Sequence, residues 1–368
     1  MATKKKVLVG MSGGLDSSVV ALLLKEQGYD CVGLYLNVWA DPTPFNSEDR
    51  KKFPQNKCCS IESMMLARSI CQKLEMPFYS MNVEEKFKEN VVDFFLDGFR
   101  QGETPNPCVR CNKTIKFGAM FEKMKELGCD YLATGHYVKL KTDESGKISL
   151  HRGKDVGKDQ SYFLYNLTQD KLQHLLFPIG DYDKAEVREM ARERGLVQVS
   201  EKRESQGVCF YPEKTYMPFL QRYLKEGEDF SEGTIETPEG ETLGTHKGLP
   251  FYTVGQRKGI GVGGGPALFV KKVDQLKNTL IVGSEEELYS KEVEIRETNF
   301  LSGEIPSEEE ELDIRIRSHG KLSRGRIKKE GEKIKIHFNE PERSVMAGQS
   351  LVLYRDTELV GGGILTWN

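Results

Sequence analysis

The run Val7-Leu-Val-Gly-Met-Ser-Gly-Gly-Leu-Asp-Ser-Ser18 leaves a chain few ways to fold. Val7–Met11 reads as a strand and Ser17–Gln27 as a helix, with only a glycine-rich turn between them. Such a turn aims successive backbone N–H groups, and the positive end of a helix, at one point, which makes an anion cradle. Gly13 and Gly14 let the backbone approach a phosphate, Ser12 and Ser17 supply hydroxyl donors, and Asp16 is placed to hold a magnesium ion on it. No Gly-Lys-Ser/Thr follows, so this is not the loop that cradles a transferable γ-phosphate. The bland alternative is a tight strand-to-helix turn with no ligand.

The pattern continues in kind. Cys31–Leu36 reads as a strand, Ser60–Leu74 as a helix, Pro77–Val83 as extended chain and Glu84–Phe99 as an amphipathic helix. Asn112 is expected to cap a helix running to Leu127, Tyr131–Tyr137 to form a strand, and Thr168–Phe177 and Asp183–Arg194 to be helical. Strands alternating with helices of this length imply an α/β domain with a parallel sheet. After about residue 205 the texture becomes short alternating segments between Gly, Pro and Asn turns, from Thr234–Glu236 to Leu359–Leu365, as in small β domains or barrels. A length of 368 residues favours two or three domains, at roughly 100–200 residues each.

Composition narrows the partners. Charged residues make up 30%, with 53 basic against 56 acidic, so any nucleic-acid surface must be local. Arg315–Lys335 is such a place, with nine Lys or Arg and two Glu, readable as a phosphate track or as a charged edge strand. The longest apolar run, Val19–Leu24, is far short of the roughly 20 residues a membrane helix needs. No signal-like stretch precedes Ser12, so the expectation is a cytoplasmic protein with no membrane partner. Its eight cysteines should then be reduced, serving as core residues, metal ligands or reactive thiols.

Two cysteine motifs stand out. Gly102–Gly118 contains Asn106-Pro-Cys-Val-Arg-Cys111; a thiol beside Arg110 and Lys113, just ahead of a helix capped at Asn112, should be thiolate-like and nucleophilic. A zinc knuckle completed by Cys58 and Cys59 is the alternative, and no spacing forces it. The second motif is Glu204-Ser-Gln-Gly-Val-Cys-Phe210, whose cysteine taken alone reads as core packing.

The phosphate loop resembles that of the PP-loop ATP pyrophosphatases. Ser12–Ser18, Thr104–Phe117, Thr134–Tyr137, Lys158–Leu164, Ser205–Phe210, Phe251–Gly259 and Ala347–Ser350 also occur in the order seen in tRNA-specific 2-thiouridylases. The sequence is identified as a member of that family. The resemblance implies a PP-loop, HUP-like catalytic domain over residues 1–205, a small β-rich central domain over 206–285 and a tRNA-binding β-barrel over 286–368. It implies ATP with Mg2+, held by Gly10, Met11, Ser12, Gly13, Gly14, Leu15, Asp16, Ser17, Leu36 and Gly135. The implied substrate is the wobble uridine (position 34) of lysine, glutamate and glutamine tRNAs, whose C2 oxygen is adenylated and then replaced by sulfur.

By the same resemblance Cys209 is the persulfide carrier and Cys111 the second nucleophile, joined afterwards in a disulfide. The sulfur donor is a cysteine desulfurase or a persulfide relay protein. Asn106, Pro107 and Cys108 face the target base. Further RNA contacts fall to His136, Lys158, Asp159, Gln160, Arg315, Ile316, Arg317 and Gln349. One departure matters: many members carry aspartate where this chain has Cys108. Three cysteines, 108, 111 and 209, admit a second mechanism in which they hold a [4Fe-4S] cluster with one iron open to sulfide. Two other classes remain: a PP-loop ligase or amidotransferase for a small metabolite, and a non-catalytic RNA- or metal-binding protein.

Overall fold

The computed structural model describes residues 4–39, 41, 60–202, 207–211, 213, 215–263 and 265–367. Cys58 and Cys59, and the first part of the Ser205–Phe210 motif, lie outside the described residues.

The N-terminal unit is built on a parallel sheet of order β3-β2-β1-β4-β7, formed by Lys6–Gly10 (β1), Asp30–Asn37 (β2), Phe78–Asn82 (β3), Tyr131–Ala133 (β4) and Leu175–Leu176 (β7). Alternation along β1 splits its side chains between two cores. Val7 and Val9 pack with helix α1 (Leu15–Glu26) and helix α2 (Ile61–Lys73), while Leu8 packs against Phe117, Met120, Phe121 and Met124 on the other face. Both faces are covered, which is why Val7, Leu8 and Val9 are all buried.

Two more helices line the site. Residues 84–100 form α3, with a π-helical segment at Lys88–Asp93; residues 107–126 form α4, with a π-helical segment at Asn112–Ala119. The expected cap at Asn112 is displaced by a turn and a half. Asn106 caps α4, its Oδ1 accepting from the Cys108 and Val109 N–H groups at 3.2 and 3.2 Å, and Pro107 opens the helix because it has no N–H to satisfy. The expected helix Thr168–Phe177 is one turn, Gln169–Leu172; Leu175 and Leu176 instead pair with Leu132 and Ala133 and extend the sheet. A sheet edge beside them outweighs local helix propensity.

The hairpin of Val138–Thr142 (β5) and Ile148–Arg152 (β6) leaves this unit and reaches the C-terminal one, where His151 pairs with Glu358. There Tyr289–Phe300 (β12), Leu312–Arg315 (β13), Ser323–Glu330 (β14), Lys333–Arg343 (β15), Ser350–Arg355 (β16) and Glu358–Leu365 (β17) form a barrel closed by pairing of β12 with both β15 and β17. Its interior is Val293, Ile295, Ile314, Ile327, Ile336, Phe338 and Leu353, with their alternating neighbours turned outward. Between the two units Gly233–Glu236 (β8), Thr242–His246 (β9), Phe269–Asp274 (β10) and Thr279–Gly283 (β11) form a small sheet of order β10-β11-β8-β9 over its own core.

The barrel is locked onto the α/β unit. Val352, Tyr354 and Leu359 share a core with Leu8, Leu132 and Leu150, and the Tyr162 hydroxyl donates to the Ser350 carbonyl at 2.7 Å. Arg296 makes two 2.8 Å bonds to the Glu103 carboxylate, and the Thr104 N–H donates to the Ala347 carbonyl at 2.8 Å. The loop entering α4 is therefore fixed from the barrel side. No described helix is long and apolar enough to cross a membrane.

Candidate active site

The turn after β1 closes on itself. Gly13 adopts φ +66°, and a Cβ there would stand 2.1 Å from the Ser63 carbonyl oxygen, so only glycine lets α2 approach. The Ser12 and Ser17 hydroxyls lie 3.1 Å apart, and the Gly14 N–H donates to Ser12 Oγ at 3.3 Å. Gly135, just past β4, meets the loop from behind: a Cβ on it would lie 2.9 Å from the Asp16 Cβ.

Two lysines absent from the sequence reading converge on this turn. Lys184 Nζ reaches both Asp16 carboxylate oxygens, at 2.6 and 2.8 Å, and the Tyr137 hydroxyl donates to Asp16 at 2.8 Å. Lys202 Nζ donates to the Gly13 carbonyl and to Ser63 Oγ, each at 3.2 Å. Neither lysine sits in a glycine- or cysteine-marked motif; Lys184 is placed by its position at the start of a helix (α5, Lys184–Glu193) more than 160 residues away in sequence. Asp16 offers the hard oxygen donor that Mg2+ takes, and Lys184 supplies the positive charge beside it here.

A cavity of about 430 Å³ opens from the loop. Gly10, Met11, Ser12, Asp16, Ser17 and Gly135 form one side, with Leu36 at the end of β2. A second part of the lining is Pro107, Cys108, Cys111 and Asn112 from α4, together with Gly207, Val208 and Cys209. Cys111 and Cys209 thus face one space although nearly a hundred residues separate them, and both also pack against the apolar cluster of Phe87, Val91, Phe95 and Phe210. Phe210 anchors the second cysteine: it is fully buried, with ring centroids 5.4 Å from Phe95 and 5.2 Å from Phe219. Arg222 then ties Glu213 to Asp41 behind it.

All three site cysteines carry thiols and are partly exposed, whereas Cys31, Cys71 and Cys129 are buried. Cys108 lies in the first turn of α4 and Cys111 a turn later, so it is Cys108 that sits at the positive helix end where Cys111 was expected. Burial pushes the Tyr211 phenol up, and Cys108 adds to that effect, which places the tyrosine beside this thiol. Among the described residues no group of three or more His, Cys, Asp or Glu could hold a metal ion.

A wider trough of about 1060 Å³ continues toward the barrel. Gly14 and Leu15 contribute from the loop, Asn106, Lys158, Asp159 and Gln160 from the α/β unit, and Arg317 and Gln349 from the barrel. His136 stands on the wall shared by both spaces. Its Nδ1 lies 2.7 Å from Thr134 Oγ1 and its Nε2 3.5 Å from Lys116 Nζ. Burial, helped by Lys116, holds its pKa well below the ordinary histidine range, so the ring is neutral.

Some expected contacts are turned inward. Arg315 pairs with Asp159 at 3.3 Å with both side chains nearly buried, and lies over the Tyr354 ring. Ile316 is in the barrel core. The Gln160 side-chain oxygen Oε1 accepts from the Tyr137 N–H at 3.1 Å. Arg317 donates to the Ser344 carbonyl at 2.6 Å while lining the trough. The basic run is also largely answered by acid: Lys328 meets Glu330, Lys333 meets Glu294, and Lys335 meets Glu292 and Glu330. These pairs, within β14 and across to β15 and β12, make that face a mixed-charge surface rather than a bare cationic track.

Comparison with known proteins agrees with this layout. Residues 5–213 match the family model described as tRNA methyl transferase HUP domain, 218–284 the tRNA methyl transferase PRC-barrel domain, and 290–365 the aminomethyltransferase beta-barrel domain. A protein of Clostridioides difficile named tRNA-specific 2-thiouridylase MnmA is 43% identical over 367 residues, covering 99% of each chain. Its namesake from Clostridium acetobutylicum is 41% identical over 362 residues, covering 98% of this chain and 99% of its own.

Proposed function

The chain belongs to the tRNA-specific 2-thiouridylase family, and on that premise we propose that it thiolates C2 of the wobble uridine in lysine, glutamate and glutamine tRNAs, using ATP. The observation that carries this reading is the single cavity in which a phosphate-type loop faces Cys111 and Cys209.

In the first step the uridine C2 oxygen attacks the α-phosphorus of ATP and pyrophosphate leaves. The Ser12–Ser17 turn receives the pyrophosphate on backbone N–H groups and hydroxyls. Asp16 is the residue that would hold Mg2+, which supplies charge neutralisation on the phosphates. The tRNA enters along the trough, with Lys158, Arg317 and Gln349 on its walls and Asn106 and Pro107 beside the base. In the second step the outer sulfur of a Cys209 persulfide attacks C2 and AMP departs, leaving C2–S–S–Cys209. The Cys111 thiolate then attacks the Cys209 sulfur, which frees the thiocarbonyl and forms a Cys111–Cys209 disulfide. An external thiol reduces that disulfide, and a cysteine desulfurase or persulfide relay protein reloads Cys209. Cys209 must serve both donor and substrate, so its segment rearranges between them.

Single-turnover thiolation of tRNA with each cysteine variant tests this. Cys209→Ser should lose thiolation by roughly a thousandfold or more while still releasing pyrophosphate with tRNA and ATP. Full thiolation by Cys209→Ser overturns the persulfide route. Pyrophosphate release driven by a small metabolite without tRNA overturns the substrate and points to a ligase.

A further inference from the structure

Asn112 is only 5% exposed, and its side-chain oxygen has no hydrogen-bond partner. It stands on the wall common to the 430 Å³ cavity and the trough. Most buried side-chain acceptors in folded proteins are satisfied, and this one, unlike most, faces a cavity where a ligand donor can reach it. Neighbouring side-chain acceptors are engaged. Asn106 Oδ1 takes two backbone N–H groups, Gln160 takes the Tyr137 N–H, Thr134 Oγ1 lies 2.7 Å from the His136 ring, and Asp16 holds Lys184 and the Tyr137 hydroxyl.

Resting on the thiolation reading above, we infer that Asn112 is the residue that recognises uracil: its Oδ1 accepts the N3–H of the target base. The position of Asn112 on α4 sets it beside the entrance for the base. Asn112 is one helical turn from Cys108 on α4, so the two share a face with the Asn106-Pro107 entrance. Cys108 brings no carboxylate to that entrance, whereas Asn112, one turn along, brings an unpartnered oxygen. And the next residue along the same face, Lys116, presents an ammonium to the same wall, suited to an adjacent carbonyl oxygen. An acceptor flanked by a donor complements the N3–H and carbonyl edge of uracil. Cytosine, with an unprotonated N3, would set two acceptors against each other, and sites built on a buried hydrogen bond reject analogues that lack it.

The test compares binding of anticodon stem-loops carrying uridine, cytidine or 3-deazauridine at the target position; the last replaces N3–H by C–H with little change of shape. The native protein should bind the 3-deaza and cytidine stem-loops roughly tenfold or more weakly than the uridine one. Asn112→Ala should bind all three alike while keeping its affinity for ATP. Equal affinity of the native protein for uridine and 3-deazauridine overturns the inference without needing any variant. A selective loss of ATP affinity in Asn112→Ala also overturns it, assigning the residue to adenine. Failure of the native protein to thiolate any tRNA would instead remove the activity on which the inference rests.

Discussion

The two walls of the active cavity are made in opposite ways. The phosphate-loop wall is contiguous: Gly10 to Ser17 come from one turn, and hydroxyls and backbone groups bond to one another within a few residues. The cysteine wall is assembled from α4 and the Gly207–Phe210 segment, and apolar packing against Phe87, Val91, Phe95 and Phe219 holds it. A wall of local hydrogen bonds is fixed before any partner binds, as transition-state charge stabilisation requires. A wall whose thiols sit on packed aromatic rings can shift without breaking a ladder, as the sulfur carrier proposed above would require.

Cysteine chemistry offers the sharpest separation of these walls. Behind the phosphate loop, burial pushes the Cys71 thiol up to about 12 and the Cys31 thiol up to about 11. Thiolate is the reacting form, and its fraction falls tenfold per unit. Alkylation of the native protein at pH 8 should therefore be roughly a thousandfold slower at Cys71 and a hundredfold slower at Cys31 than at an unshifted exposed thiol. The partly exposed Cys108, Cys111 and Cys209 should be modified first. Peptide mapping by mass spectrometry reads the order, and early labelling of Cys71 would erase the contrast.

Substituting the loop tests whether the walls are independent. Gly13→Ala places a Cβ 2.1 Å from the Ser63 carbonyl at φ +66°. The strain and the displaced loop should cost about 2 kcal/mol or more of stability and cut tRNA-dependent pyrophosphate release roughly a hundredfold. The alkylation order of Cys108, Cys111 and Cys209 should survive unchanged. A loss of that order would show that α2 and the loop also hold the cysteine wall in place.

The same contrast explains what could be read from the residues. The loop was legible because its strand, its glycines and its hydroxyls are adjacent in sequence. So were most barrel strands, whose period-two alternation is local, although Ser323–Glu330 shows as a charged run rather than a marked strand. The cap of α4 was misplaced because Asn106 and Asn112 both precede apolar helical residues, and only Pro107 at the first helical position marks the true start. Lys184 and Lys202 were invisible, since nothing near them in sequence says that they end at Asp16 and Gly13. Arg315 was read by its charge alone, while its pairing with Asp159 depends on how the barrel docks. The orphan acceptor of Asn112 is likewise a property of burial, not of sequence.

His136 is where the walls meet, touching Thr134 on the loop side and Lys116 on the cysteine helix, and its effect should be the smallest. Its folded pKa is depressed by burial and by Lys116, so the folded protein binds its proton less readily than the unfolded chain does. Unfolded histidine titrates near about 6.5, so stability is fully present above that pH and declines as pH falls below it. Burial depresses His151 and His246 in the same direction, so all three contribute to the slope. Melting temperature should therefore drop between pH 7.5 and 5.5, before the lowered carboxylates of Asp130 and Glu186 begin to protonate. His136→Asn, which cannot take up a proton, should flatten part of that slope and leave the remainder to the other two. An unchanged slope would mean that the ring gains a solvated path to protonation, and that the junction between the walls opens at mildly acid pH.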